Sequence, residues 1–194
     1  NVDQLADLYD MANGLGVDVM NFVLNNPAEY PHYKDYDLQA KLFAAPPPVK
    51  TIDPDHLRGE LDRLQERQRG HRTQLRFSPN GVTRDEIVRY YSNQSSYKDY
   101  RCFTPWSKVA VSAYGDVFSC PHVRWGNLDD HGGSIPWLGK AAERLRHKLR
   151  KNRSFPGCLG CCQSEYVGPA RRETPALSRA ALPLQGSLMK GKKI

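Results

Sequence analysis

The placing of five cysteines constrains this 194-residue chain more than any other feature. Cys102 is followed after twelve residues by Gly115, and after four more by Cys120. A gap of 37 residues then leads to Cys158-Leu-Gly-Cys161, with Cys162 directly behind. Two distant thiols closed by a C-x-x-C wrap one metal centre from separate segments. The thiolate is the ligand, and four thiolates suit tetrahedral zinc or an iron–sulfur cluster equally well. The C-x-x-C spacing favours Cys161, and Cys162 is either its replacement or a spare thiol. Cys102, Cys120, Cys158 and Cys161 are therefore the expected metal ligands. Four unrelated buried thiols would be the plain alternative, but that spacing is hard to obtain by accident. His122 is read first as a packed or exposed histidine, and second as a pocket residue or ligand. Trp106, Trp125 and Trp137 are expected to pack the small cysteine region.

Thiols in a chain without secretory marks favour metal over disulfides, and an odd count fits a disulfide framework badly. There is no leader pattern and no apolar run of about 18 residues. The expectation is a cytoplasmic protein with no membrane partner. The chain opens on Asn1, inside what reads as a helix, so it is taken as a piece of a longer product.

Net charge is +7. Two segments carry it. Residues 141–153 hold six Lys/Arg against one Glu, and the segment after Cys162 holds six against two. Such patches can bind nucleic acid, but this run lacks the interleaved aromatics that single-strand binders use for stacking. A solvated helix face is the preferred reading, and a nucleic-acid partner is not favoured.

Periodicity predicts a helix over Gln4–Gly14 and a short, buried parallel strand over Val17–Leu24. Asn25 and Asn26 then stand at its carboxyl end, where parallel folds place ligands, although a plain turn serves as well. The proline- and aromatic-rich stretch Tyr30–Pro48 receives no assignment. Asp53 caps a helix to Arg69 with a Leu57, Leu61, Leu64 stripe. Thr73–Phe77 reads as a strand and Thr83–Ser92 as a helix. A hairpin is expected from Lys108–Ala113 and Val117–Cys120 around Tyr114-Gly115-Asp116. Gly126-Asn127-Leu128 reads as a turn, Ile135–Lys151 as a basic helix, and 163–194 as a disordered tail.

The stretch CFTPWSKVAVSAYGDVFSCPHVRWGNL, then IPW, a basic helix and CLGC, resembles the auxiliary-cluster domain of radical S-adenosylmethionine enzymes, of the SPASM or shorter twitch type. Cys102, Gly115, Cys120, Cys158 and Cys161 match its C-x(9–15)-G-x4-C, gap, C-x-x-C pattern. The resemblance implies an α/β fold: the last αβ units of a partial TIM-type barrel over 1–98, a twitch/SPASM-like α+β domain over 99–165, and a basic tail over 166–194. It implies an auxiliary 4Fe–4S cluster acting in substrate binding or electron transfer. Its implied partners are a peptide or small-molecule substrate, a reductant protein and the missing N-terminal barrel half. S-adenosylmethionine belongs to the full-length enzyme, because the family's C-x3-C-x-x-C is absent and this chain alone is not expected to be active. A zinc-binding nucleic-acid module is the competing reading, since four thiols beside a basic helix also allow it.

Overall fold

The computed structural model describes residues 2–26, 42–120 and 122–169. Most of the unassigned stretch Tyr30–Pro48, and the tail from residue 170 onward, lie outside the described residues.

The first half is one βαβ unit flanked by helices. Helix α1 (Leu5–Gly14) turns Ala6, Tyr9 and Ala12 inward. Strand β1 (Val19–Val23) follows, and helix α2 (Pro54–Gln68) lies between it and strand β2 (Gln74–Ser78). The Asp53 carboxylate accepts the His56 amide at 2.7 Å, and Pro54 occupies the first turn. That cap satisfies an amide the helix leaves open, and the proline costs nothing there. Leu57, Leu61 and Leu64 are the buried stripe, as their spacing requires. Helix α3 (Arg84–Tyr91) is capped by Thr83, whose hydroxyl accepts the Glu86 amide. Strands β1 and β2 pair in parallel, Val19 opposite Gln74 through Val23 opposite Ser78.

One expectation needs correction here. The strand at 19–23 is not buried: its residues alternate between exposed and half-buried. A strand covered on both faces needs neighbours on each side. Among the described residues the fold is mixed α/β with three small sheets, and the parallel one has two strands.

In the second half, strand β3 (Tyr100–Cys102) pairs antiparallel with strand β7 (Ser164–Tyr166). Between them come the short helix α4 (Thr104–Ser107), a three-stranded antiparallel sheet and helix α5 (Lys140–Asn152). The sheet runs β4 (Ala110–Val111), β5 (Asp116–Cys120), β6 (Val123–Asn127). The hairpin is present, though its first strand is only two residues long. Gly115 takes φ +79° at its tip, a region open to glycine at no steric cost. The expected turn at 126–128 is instead the end of β6. Asn127 there donates to the Tyr114 carbonyl at 2.8 Å and to the Asp116 carboxylate at 3.0 Å. Its side-chain Oδ1 accepts the Asp129 amide at 2.9 Å. One side chain thus ties the hairpin tip to the third strand. Helix α5 starts at Lys140, five residues later than periodicity suggested. The reading of 163–194 as structureless fails at its start, since β7 completes a sheet with β3. The Val167 amide also donates to the Asp99 carbonyl at 2.8 Å.

Each half has its own apolar core. One gathers Leu24, Val49, Leu57, Leu61, Ile87 and Val88. The other gathers Val117, Val123, Trp125, Leu145, Leu149 and Phe155, and Leu42 reaches into it from the long connection. The seam between them is polar. The Tyr166 amide donates to the Asn80 carbonyl at 2.8 Å, and Arg89 on α3 faces both Glu86 and Asp99.

Candidate metal centre

Cys102 ends β3 and its amide donates to the Arg153 carbonyl at 3.0 Å, which fixes it against the end of α5. Cys120 ends β5. Cys158 closes a short 3-10 turn begun by Pro156, and Cys161 follows on a knuckle in which its amide donates to the Cys158 carbonyl at 3.0 Å. The Ser164 hydroxyl donates to the Cys161 carbonyl at 2.7 Å and holds the exit of the knuckle. All four cysteines line one cavity, together with Thr104, His122, Gly157, Gln163 and Ser164, although among the described residues no group of three or more His, Cys, Asp or Glu side chains is already drawn together to hold a metal ion. None of the five cysteines is in a disulfide.

Burial pushes the Cys120 thiol up to about 12 and the Cys161 thiol up to about 11, and raises Cys158 as well. Repulsion among the sulfurs adds to this: Cys102 and Cys161 act on Cys120, and Cys102, Cys120 and Cys161 act on Cys158. Backbone groups work the other way. The main chain at His122 favours ionised Cys120, that at Phe155 favours ionised Cys158, and those at Gln163 and Ser164 favour ionised Cys161. Hydrogen bonds to a charged form lower its cost. A pocket that buries Cys120, Cys158 and Cys161, yet aims main-chain dipoles at those three sulfurs, suits thiolates neutralised by a metal centre.

Cys162 does not line the cavity. Its sulfur accepts a bond of 3.7 Å from the Gln163 amide nitrogen, and its charge acts on Cys161 alone among the raised thiols. His122 is buried, as the packed reading has it, and it is also among the residues that line the cavity. Trp125 and Trp137 meet edge to face at 5.5 Å and pack the core beside the cysteines, as expected.

Residues 102–162 match the family model of SPASM, described as an iron–sulfur cluster-binding domain. This segment is similar to a SPASM domain. The match begins on the first cysteine of the cavity and ends on Cys162. No curated protein and no solved structure matches the chain. Of the two chemistries left open by four thiolates, the match supports iron and sulfide. Among the described residues, no helix is long and apolar enough to cross a membrane.

Sequence reasoning missed what seats the knuckle. Gly160 of the SPASM domain lies against the Tyr90 phenol of α3, which itself donates to the Asn25 carbonyl at 2.7 Å. Leu159 packs on the first-half core. A Cβ at Gly160 would collide with the Tyr90 oxygen, and its φ of +75° is costly for any other residue. Gly160→Ala is expected to lower metal-centre occupancy several-fold after reconstitution, with about 1–2 kcal/mol of backbone strain before the clash is counted. Adding Tyr90→Phe should recover part of that loss by removing the colliding atom. Iron per chain is the measurement, and equal occupancy in Gly160→Ala and wild type would refute this account of the knuckle.

Proposed function

We propose that this chain is the auxiliary-cluster portion of a radical S-adenosylmethionine enzyme, with Cys102, Cys120, Cys158 and Cys161 holding one 4Fe–4S cluster. The observation that carries the reading is that these four cysteines, from three separate segments, line one cavity within the stretch that matches SPASM. When bound, such a cluster supplies a one-electron relay beside the substrate, with a potential set by burial and hydrogen bonds.

The chain's own residues account for the rest. The four cysteines would hold the cluster in position as thiolates, having released their own protons. Main-chain dipoles at His122, Phe155, Gln163 and Ser164 stabilise charge on sulfur. The first half resembles the closing αβ units of a partial barrel, the 1–98 unit of the sequence reading, set before a 99–165 cluster unit. Supporting this, β1 and β2 are parallel, and Val19 and Val23 of β1 are 38% and 54% exposed. That is an apolar strand prepared for further strands. The carboxyl ends of β1 and β2 face the cysteine knuckle through Tyr90 and Asn25. In parallel folds ligands bind at that end. A peptide or small-molecule substrate held there would lie between barrel mouth and cluster. S-adenosylmethionine, a reductant protein and the remaining barrel half complete the enzyme. The free thiols agree with a reducing, cytoplasmic setting.

Anaerobic reconstitution tests the reading. The expected product is brown, with broad absorbance near 400 nm (about that value, as thiolate-held clusters show) and iron and sulfide in equal amounts. Dithionite with S-adenosylmethionine should yield no 5′-deoxyadenosine above a protein-free control. Stoichiometric zinc without iron uptake would refute the cluster assignment, and catalytic 5′-deoxyadenosine would refute the auxiliary role.

A further inference from the structure

The exposed side of α5 carries a groove of about 520 Å³. That is room for several side chains, not only for an ion. Glu143, Arg144, His147, Lys148 and Arg150 line it and are exposed, and the buried Arg146 forms its floor. Leu138, 76% exposed, adds an apolar rim. Four fixed cations thus stand against one carboxylate. Glu143 has its own reason to be there, since an acid in the first turn of a helix meets the positive end of its dipole. Among the described residues, none of the four cations forms an ion pair. Such a cluster leaves a positive potential that favours an anion. Arg146 sharpens the demand. It is 6% exposed, its Nε donates to the Pro105 carbonyl at 2.8 Å and its Nη1 to the Trp137 carbonyl at 2.6 Å. Its Nη2 is buried without a hydrogen-bond partner. Arginine cannot shed its proton to escape burial, and a charged donor left unmade costs more than a neutral one.

The surroundings select the kind of anion. Single-stranded nucleic acid needs free aromatic faces on which to stack its bases. Here α5 covers rings with its own cations. The Arg146 guanidinium carbon stands 4.5 Å from the Trp137 ring centroid and 5.2 Å from that of Trp125. The Lys148 Nζ stands 4.4 Å from the Phe43 centroid, and the Arg150 guanidinium carbon 5.9 Å from that of Trp106. An evenly charged phosphate backbone would also meet the Glu143 carboxylate. Carboxylates on a peptide can be spaced to avoid it, and apolar atoms of the peptide can use Leu138. A carboxylate oxygen suits the one guanidinium nitrogen of Arg146 that has no partner. Long exposed side chains such as Arg144 and Lys148 change rotamer within nanoseconds, so the burial of Nη2 does not bar the approach.

We propose that the exposed side of α5 is a docking groove for an acidic peptide segment, with Arg144, Lys148 and Arg150 attracting it and Arg146 anchoring one of its carboxylates. The proposal stands independently of the cluster reading, because none of these residues lines the thiol cavity. The full chain is titrated into a short fluorescein-labelled peptide of alternating glutamate and alanine, and anisotropy follows binding. Binding should saturate and weaken as salt is added, and the matching lysine–alanine peptide should not bind. Arg144→Gln and Lys148→Gln, both at exposed positions, should each weaken it about threefold, mainly through slower association. Glu143→Gln should tighten it by removing the one repelling charge. Arg72→Gln, at an exposed cation of the first half, should leave it unchanged. Arg146→Gln should weaken it roughly thirtyfold, mainly through faster dissociation. In nitrogen-15-labelled wild type, the Arg146 Nε–H signal and the indole signals of Trp125 and Trp137 should move as peptide is added. An acidic peptide that does not bind saturably, or that keeps full affinity for Arg144→Gln combined with Lys148→Gln, would overturn the proposal. So would tighter binding of an oligothymidylate of equal charge that the same two changes weaken, since the groove would then be a nucleic-acid site. If Arg146→Gln fails to fold, the wild-type signals decide its part: a peptide that binds while they stay fixed would overturn the anchoring role.

Discussion

Replacing Cys102, Cys120, Cys158 or Cys161 by alanine is expected to abolish the brown chromophore in each case, while Cys162→Ala keeps it. The four bring their sulfurs to one cavity, and Cys162 lies outside its lining. Losing one thiolate leaves an open coordination position in a site that admits little water, so the remaining three must hold an under-ligated centre. The effect reaches beyond the metal. Metal binding at such sites is coupled to folding, so each of the four variants should also loosen the segments that meet there. The apo protein offers a second check, through pH. Cys120 and Cys161 are raised by burial to about 12 and about 11, while unfolded thiols ionise near their ordinary value of 9.0. Between those limits the folded apo state binds more protons than the unfolded state. Its stability is therefore complete below about pH 9 and lost as pH rises through 11 to 12. Loaded protein, whose thiolates are already neutralised by metal, should not follow that curve. Urea titration of both forms from pH 7 to about pH 11 reads the difference. A chromophore that survives Cys161→Ala and vanishes in Cys162→Ala would move the fourth ligand by one residue.

Much of the site was legible in the sequence because ligand chemistry is local. A C-x-x-C knuckle and a hairpin with glycine at its tip specify where their cysteines go whatever surrounds them. The helices were legible for the same reason: Asp53 and Thr83 cap them, and the leucine stripe of α2 repeats at helical spacing. What sequence could not show is pairing at a distance. Strands β3 and β7 are three residues each, too short for alternation to register, and exist because they find each other across about sixty residues. Asn127 looked like a turn residue because asparagine after glycine usually is one. Its actual work, bridging the hairpin tip and β6, depends on tertiary placement. Arg146 was counted among the solvated cations of a basic helix. It is instead the one arginine of that helix turned into the core, on the face it shares with Ala142, Leu145 and Leu149. Periodicity contains that information, since 142, 145, 146 and 149 form one stripe, but charge outweighed position in the reading.

Arg89→Met is expected to destabilise the whole described fold by about 3 kcal/mol, because it removes a cation shared by two buried carboxylates in the seam between the halves. Glu86 on α3 and Asp99 before β3 have fully buried side chains. Arg89 approaches Glu86 at 3.3 Å and Asp99 at 3.7 Å, and is the cation they share. Glu86 also accepts the Tyr100 hydroxyl at 2.7 Å, and Tyr100 is itself fully buried. Burial, and then the neighbouring Glu86 charge, keep that phenol protonated well above its ordinary range, so it remains a donor at every accessible pH. Hydrogen bonds from Tyr100 and Tyr166 to Glu86 do not replace a cation. Breaking such a network costs more than forming it gains, since the surviving charges stay desolvated. The figure sits at the low end for buried pairs because the Arg89 side chain is 37% exposed and water reaches part of it. The penalty should shrink in Arg89→Met combined with Glu86→Gln, which removes one stranded charge and keeps an acceptor for Tyr100. Urea unfolding of the single, double and parent proteins measures it, and the two changes must be non-additive because the residues touch. The location gives the result its functional reach. Glu86, Arg89 and Tyr90 share one short helix, and Tyr90 is the residue on which the Gly160 knuckle rests. A seam loosened at Arg89 should therefore let the knuckle drift from the parallel strands, so metal-centre occupancy in Arg89→Met should fall along with stability. Full stability in Arg89→Met would mean that Glu86 and Asp99 have other compensation, and that α3 holds the SPASM domain by packing alone.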